Sequence, residues 1–343
     1  MSMRVVNWYG GSDFRIEKRP KPSPKGNEVL VEVKAASICG SEVHAFTGAS
    51  KRRQEIHGLP LVMGHEFAGI VAEVGKGVMG LSVGDKVAVN PIISCGSCEQ
   101  CISGRTNICP NFRLYGLHMD GAFAEYVVVP AENCYKLPEN VSLKEAACAE
   151  PASVGFHAVR ISNVVPGDHV AVIGSGPIGL FVLQSAKLSG AAKTIAIDIS
   201  DYRLEKAKEL GADITINPKS EDPVKVVREL TEGRGVDIAI EAVGREITVN
   251  QAIQMVKKGG VVTIVGMLEK TMSIPILDVT VNEIRLQGDY GYTKIDFERA
   301  VNLISLRKIR AAPMIDFETN FENIVEGFKR LAEGKATKVI VTP

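Results

Sequence analysis

The sequence has no excess of charge of either sign: forty Lys and Arg residues balance forty Asp and Glu over 343 residues. Without a broad positive field there is nothing to select nucleic acid or an anionic membrane, and the expected partner is a small uncharged or locally polar molecule. No apolar run approaches the roughly 20 residues needed to cross a bilayer. The opening stretch, Met1-Ser2-Met3-Arg4-Val5-Val6-Asn7-Trp8, lacks the apolar core of a secretory signal, so a cytoplasmic protein is expected. Internal repeats, low-complexity segments and long charge runs are missing too. A hydrophobic content of 45% excludes a disordered or fibrous chain, and the length suits two domains of roughly 100 to 200 residues each.

A disulfide framework is also missing, because seven cysteines are an odd number and four of them crowd between residues 95 and 109. Cys134 and Cys148 read as small buried hydrophobes in a reducing compartment. The crowded four, Cys95-x2-Cys98-x2-Cys101-x7-Cys109, bring soft thiolates into one loop. A closed tetrahedron of thiolates satisfies zinc and leaves no open position, which makes the site structural. An iron–sulfur cluster is disfavoured, since the Cys-Pro ending of ferredoxin runs follows a three-residue spacer and Cys109-Pro110 follows seven. A nucleic-acid-gripping zinc knuckle fits poorly with the neutral charge balance and with only Phe112 and Tyr115 close by.

Short β-type runs punctuated by Gly and Pro fill the first part of the chain, among them Val29 to Val33, Gly69 to Val74, Lys86 to Val89 and Ala124 to Val129. They predict a mostly β, barrel-like unit. After about residue 168 strands alternate with helix-length segments: Val170 to Ile173, Ile178 to Ser189, Thr194 to Asp198, Arg203 to Leu210, Asp213 to Asn217, Val236 to Glu241 and Val261 to Val265. That rhythm predicts a doubly wound parallel α/β sheet. A helix from Asp296 to Leu306, an irregular stretch, a helix from Phe321 to Glu333 and a closing strand from Lys338 to Val341 are expected to return to the first domain, with a cleft between the two domains.

Gly174-Ser-Gly176-Pro177-Ile178-Gly179 follows a predicted strand and opens a predicted helix, the context in which G-x-G-x-x-G binds a dinucleotide pyrophosphate. Asp198, 24 positions beyond Gly174, ends the next strand, where an acid accepts hydrogen bonds from the adenosine ribose hydroxyls. Its charge repels a 2′-phosphate and favours NAD over NADP. Arg203, one turn on, can lie over the adenine, pair with an acid or accommodate a phosphate. An ordinary βα turn and a helix cap are the alternative readings of the glycines and of Asp198.

A second candidate metal set is dispersed: Cys39, His65, Glu66 and Glu150. One thiolate, one imidazole and carboxylates suit a catalytic zinc, which takes three protein ligands and keeps a position for water or substrate. On spacing alone a His beside a Glu is more often structural than ligating, and Cys39 fits a core position.

Taken in order, these features resemble the zinc-dependent medium-chain dehydrogenase/reductase superfamily of alcohol dehydrogenase type. The likeness runs through Cys39-Gly-Ser-Glu-x-His44, Gly64-His65-Glu66 with Gly69 and Val74-Gly75, Val83-Gly84-Asp85-Lys86-Val87, the four-cysteine lobe, Asp120-Gly121-x-Phe123-Ala124-Glu125-Tyr126 and the Gly174 fingerprint. Glu66 directly after His65, and Glu150-Pro151 where classical members carry a cysteine, are similar to the sorbitol (polyol) and threonine dehydrogenase branch. The resemblance implies a GroES-like catalytic domain over 1–154 with a structural zinc lobe at 90–112, a Rossmann domain over 155–292 and a return over 293–343. It implies two zinc ions per chain and NAD. Cys39, His65 and Glu66 would hold the catalytic zinc, with Glu150 bound directly or through water, while Ser41 and His44 would relay the substrate proton. Glu42 stands where the family usually has Asp, and its extra methylene bears on how His65 is oriented.

The implied reaction takes hydride from a secondary alcohol of a sorbitol-like polyol to NAD and gives a ketose, in a homodimer or homotetramer joined through the Val279–Gln287 region. L-threonine and polyol phosphates such as galactitol 1-phosphate are the alternative substrates. Lys51-Arg52-Arg53 would serve a phosphate, although a solvated basic loop is the simpler expectation for it. A metal-free quinone reductase of the same fold is the competing class, and the retained cysteines and Glu66 argue against it.

Overall fold

The computed structural model describes all residues from Met1 to Pro343, and they fall into two compact units. One comprises Met1–Glu150 with Thr293–Pro343, the other Pro151–Tyr292. No helix is long and apolar enough to cross a membrane.

The first unit is built on a seven-stranded sheet organised around the strand Glu28–Ser37. Its runs Val29-Leu30-Val31 and Ala35-Ala36-Ser37 are buried on both faces, as suits a central strand, and only Glu28, Glu32 and Lys34 reach solvent. It pairs antiparallel with Glu66–Val74 along one side; on the other, Tyr126–Pro130 covers its first half and Lys338–Thr342 its end. Register shifts at Leu30/Val31 and Val33/Ala35 mark irregularities of the kind that bend a sheet and sharpen its twist. A three-stranded sheet formed by Ser2–Trp8, Phe14–Pro20 and Leu61–Val62 shares the same hydrophobic core, in which Trp8, Phe67, Phe123 and Phe328 are fully buried.

Phe328, on the helix Ile324–Ala332, stacks on Phe14 and Phe46 at ring-centroid distances of 4.9 and 5.2 Å and meets Phe123 edge-on. Phe46 ends the short helix Gly40–Phe46, so this stack anchors the helix that carries Ser41 and His44. The expected irregular stretch after residue 306 contains a strand, Ile315–Asn320, that runs parallel to Lys338–Thr342. Ile315, Phe317 and Thr319 alternate with Asp316, Glu318 and Asn320, the period of a strand with one face toward the core, in a short run of which no residue is fully buried.

The second unit is a six-stranded parallel sheet. The strand His169–Ile173 pairs with Lys193–Ile197 on one side and Val236–Glu241 on the other. Ile214–Ile216 lies beyond the former, and Val256–Ile264 and Arg285–Gly288 beyond the latter. Strand order thus reverses at His169–Ile173, and a doubly wound sheet binds its ligand outside the carboxyl ends at such a point. Val236–Glu241 is buried at every position, as a central strand covered on both faces must be. This is the α/β class expected, a β-rich first unit beside a unit built on a doubly wound, Rossmann-like parallel sheet.

Candidate active site

Strand register brings the dispersed set together. Ser37 pairs with Glu66 across the antiparallel ladder, and Cys39, two residues past Ser37, caps the helix Gly40–Phe46. Cys39, His65 and Glu66 consequently offer three ligand atoms within 4.8 Å of one another. Gly64 fixes the approach of His65: its φ is +97°, and a Cβ there would stand 2.8 Å from the backbone nitrogen of Phe123. Glu150 is buried in the first turn of the helix Ala149–Ile161 and lies outside this convergent set.

Glu42 reaches His65 despite its extra methylene. Its Oε1 accepts from His65 Nδ1 at 3.0 Å and from the Gly64 N–H at 2.8 Å, and its Oε2 accepts from the Cys39 N–H at 3.1 Å. A carboxylate only accepts, so Nδ1 carries the proton and Nε2 keeps its lone pair for a metal. Full burial would raise the Glu42 pKa, but His65, Arg53 and the Cys39 N–H outweigh it and pull the carboxyl down to about 2.

Two cations stand beside this set, and the first lies outside every motif read from the sequence. Lys338, buried at the start of its strand, donates to Glu66 Oε2 and, at 3.2 Å, to the Ile38 carbonyl. The Ser37 hydroxyl donates to the same Glu66 oxygen, which leaves Oε1 to face a metal. A lysine opening an otherwise apolar buried strand is the one signal that could have disclosed it.

The other cation corrects an expectation. Lys51 and Arg52 are exposed, but Arg53 is only 5% exposed, so the solvated basic loop does not exist at this position. Arg53 lies on the short helix Arg52–Ile56 and donates Nε to the Gly116 carbonyl at 3.0 Å, Nη1 to the Ser41 carbonyl at 2.8 Å and Nη2 to Ser41 Oγ at 3.2 Å. Its guanidinium is 3.7 Å from Glu42. Ser41 Oγ donates to Cys39 Sγ at 3.3 Å, and half-buried His44 has its pKa lowered by burial and by the charge of Arg53.

In the cysteine lobe the sulfurs of Cys95, Cys98, Cys101 and Cys109 all lie within 4.8 Å of one another. Separations of 3.9 Å for Cys95–Cys101, 3.8 Å for Cys98–Cys109 and 3.5 Å for Cys109–Cys95 bracket the edge of about 3.8 Å that a tetrahedron with zinc–sulfur bonds near 2.3 Å requires. Backbone N–H groups of Cys101 and Cys95 point at Cys98 and Cys109 sulfur, both at 3.4 Å. All seven cysteines are unpaired.

At the switch point, the three fingerprint glycines have separable reasons. Gly174 has φ +93°, and a Cβ on Gly179 would collide with the Gly174 carbonyl at 1.7 Å. A Cβ on Gly176 meets nothing within 4 Å, so no protein neighbour demands glycine there and the open space suits a pyrophosphate. Pro177 and Ile178 open the helix Pro177–Leu188, whose first N–H groups face an anion favourably. Asp198 accepts from the N–H of Ser175 at 2.8 Å and of Ser200 at 2.9 Å, and each oxygen keeps a lone pair for a ribose hydroxyl. Arg203 approaches Asp198 at 3.7 Å, which is the pairing role among those open to it.

Comparison with known proteins places the chain in a family. The family described as Alcohol dehydrogenase GroES-like domain matches residues 25–139, and that described as Zinc-binding dehydrogenase matches 177–305. D-xylulose reductase A of Aspergillus oryzae is 37% identical over 333 residues, covering 95% of this chain and 93% of that protein. L-threonine 3-dehydrogenase of Bacillus velezensis is 37% identical over 330 residues, covering 96% and 95%. The crystal structure of a zinc-binding dehydrogenase from Sinorhizobium meliloti bound to NADP superimposes with a TM-score of 0.92 at 32% identity, covering 100% of both chains. The chain belongs to the zinc-dependent medium-chain alcohol dehydrogenase superfamily, as an oxidoreductase of the branch that includes polyol and threonine dehydrogenases.

Proposed function

We propose that the protein oxidises a secondary alcohol of a free polyol to a ketose with NAD, holding one zinc at Cys39, His65 and Glu66 and a second, structural zinc in the cysteine lobe. The observation that carries this reading is the convergence of a thiol, an imidazole and a carboxylate, with Glu42 fixing the tautomer of the imidazole. When bound there, zinc supplies the Lewis acidity that makes an alcohol hydroxyl acidic near neutral pH.

The chain's own residues move the proton and hold the cofactor. Ser41 accepts the substrate proton on Oγ and passes its own toward His44, which burial and Arg53 keep in the neutral form that can take it. Gly174, Gly176 and Gly179 let backbone approach the pyrophosphate, and Asp198 receives the ribose hydroxyls and disfavours a 2′-phosphate. Glu150, buried outside the three-residue set, would serve a bound metal through a water rather than as one of the three converging ligands.

D-xylulose reductase likeness over nearly the full length supports a polyol, and threonine is the alternative that a second relative supports. A phosphorylated polyol fits less well, because Arg53 is already engaged by Ser41 and Gly116. The unpaired cysteines support a cytoplasmic location. The exposed Ile276, Leu277 and Val281, just before the edge strand Arg285–Gly288, support a homodimer or homotetramer.

The test is NADH formation by zinc-replete protein against free polyols, polyol phosphates, threonine and simple diols, with NADP in parallel. Preference for free polyols supports the reading, and selective turnover of threonine moves the substrate. Silence on every alcohol at two zincs per chain overturns it.

A further inference from the structure

We infer that Arg53 is a positioning residue for the substrate proton path, its buried guanidinium fixing Ser41 so that one lone pair of the hydroxyl stays open for the substrate and its proton points away from Arg53. The inference rests on the proposed role of Ser41 and adds a residue that role did not include.

Three bonds define the arrangement. Nη1 holds the Ser41 carbonyl at 2.8 Å and Nη2 holds the Ser41 hydroxyl at 3.2 Å, so one arginine grips both the backbone and the side chain of the same residue. Nε anchors the fork on the Gly116 carbonyl at 3.0 Å. Gly116 in turn packs against Gly64, where a Cβ would stand 3.0 Å from the Gly64 nitrogen, and Gly64 leads into His65. The same guanidinium lies 3.7 Å from Glu42, the partner of His65 Nδ1. Arg53 therefore ties the segment carrying Cys39 and Ser41 to the segment carrying His65.

The chemistry follows from donor counting. A guanidinium has five N–H donors and no acceptor, and it does not deprotonate in a protein. With Nη2 occupying one Ser41 lone pair, the Ser41 proton cannot point toward Arg53 and must find another acceptor; in the structure that acceptor is Cys39 Sγ at 3.3 Å. The second lone pair stays open for the substrate hydroxyl. The fixed positive charge also favours electron density on Ser41 Oγ while the proton is in transit, and it depresses the basicity of His44 together with burial. Lysine could supply the charge but not the planar fork that grips the carbonyl and the hydroxyl together.

The experiment is a double-mutant cycle with S41A, R53M and R53M/S41A, reading kcat, KM, zinc per chain, NADH binding and the solvent deuterium isotope effect. R53M is expected to lower kcat by about 10²-fold, within the range for a disturbed proton-transfer group. Zinc content and NADH binding should stay as in wild type, KM should change little, and the isotope effect should rise. In the S41A background R53M should cost little more, because its effect passes through Ser41. Equal fold-losses in both backgrounds would overturn the inference. If R53M loses zinc or fails to fold, R53K carries the same cycle, with a smaller loss expected and the same criterion applied. A wild-type activity insensitive to S41A would instead sink the assignment of Ser41 itself.

Discussion

Replacing Lys338 with Met should destabilise the first unit, and should do so much more strongly without zinc than with it. Lys338 and Glu66 are each 1% exposed, and the ammonium sits on the carboxylate. Burial works against the charged lysine, but the nearby Glu66, Cys148 and Cys39 outweigh it and raise its pKa, so it is a cation in the folded protein. Removing it leaves Glu66 with the Ser37 hydroxyl and no positive partner. Breaking a buried ion pair on one side costs about 3–5 kcal/mol. For a unit of roughly 200 residues each kcal/mol lowers Tm by about 2–4 °C, so zinc-free K338M should melt about 6–20 °C below zinc-free wild type. With zinc present the metal supplies a second cation to Glu66, and the deficit should shrink by at least half. Calorimetric melting of both proteins, chelated and zinc-replete, reads this directly. Adding E66Q to K338M removes the stranded charge and should recover part of the loss. A shift under about 3 °C without metal, or an equal shift in both forms, would refute the account of Glu66 as a carboxylate shared between lysine and metal.

Three further outcomes follow from particular residues. G176A should fold as stably as wild type, within about 0.5 kcal/mol, yet bind NAD at least tenfold more weakly by fluorescence titration. G179A should instead lose about 1–3 kcal/mol in urea unfolding, because its Cβ meets the Gly174 carbonyl at 1.7 Å; equal stability of the two variants would sink the division of roles. C98S should leave about one zinc per chain by atomic absorption instead of about two, with NADH binding to the second unit unchanged. For Asp237, burial favours protonation, but Arg234, the His169 N–H and Lys257 outweigh it and hold the carboxyl well below the usual range. A depressed folded pKa contributes stability above the unfolded value near 3.9 that is lost as pH falls below it. Wild-type stability should therefore drop below about pH 4, and D237N should be less stable at pH 7 by on the order of 2 kcal/mol with a flatter acid limb.

The candidate dinucleotide site was legible in sequence because its parts are local: strand, glycines and helix follow one another within Val170–Ser189, and Asp198 follows the next strand. The cysteine lobe was legible for the same reason, its four thiols falling within one loop. The alcohol site was harder, since its geometry comes from pairings between distant segments. Register across Ser37 and Glu66 placed Cys39 beside His65, and no local pattern states that register. Lys338 meets Glu66 from 272 positions away. Arg53 escaped for another reason: among three consecutive cations, nothing local says which one turns inward, and only the Ser41 and Gly116 carbonyls decide it. The strand Ile315–Asn320 does alternate Ile, Phe and Thr with Asp, Glu and Asn, but one short, partly exposed run of this kind is a weak signal beside the helical patterns that flank it.

The strand Lys338–Thr342 lies against Glu28–Ser37, among the earliest segments of the chain. During synthesis the ribosome has released Cys39, His65 and Glu66 long before the partner of Glu66 exists. Until Lys338 leaves the exit tunnel, Glu66 has no buried cation beside it and the end of the strand Glu28–Ser37 has a bare edge. A nascent chain arrested anywhere before that point holds the alcohol-site donors without the cation that steadies them. A stop codon just ahead of Lys338 would therefore yield a product that carries every proposed zinc ligand yet lacks both the strand that covers the end of Glu28–Ser37 and the cation that neutralises Glu66 while no metal is bound.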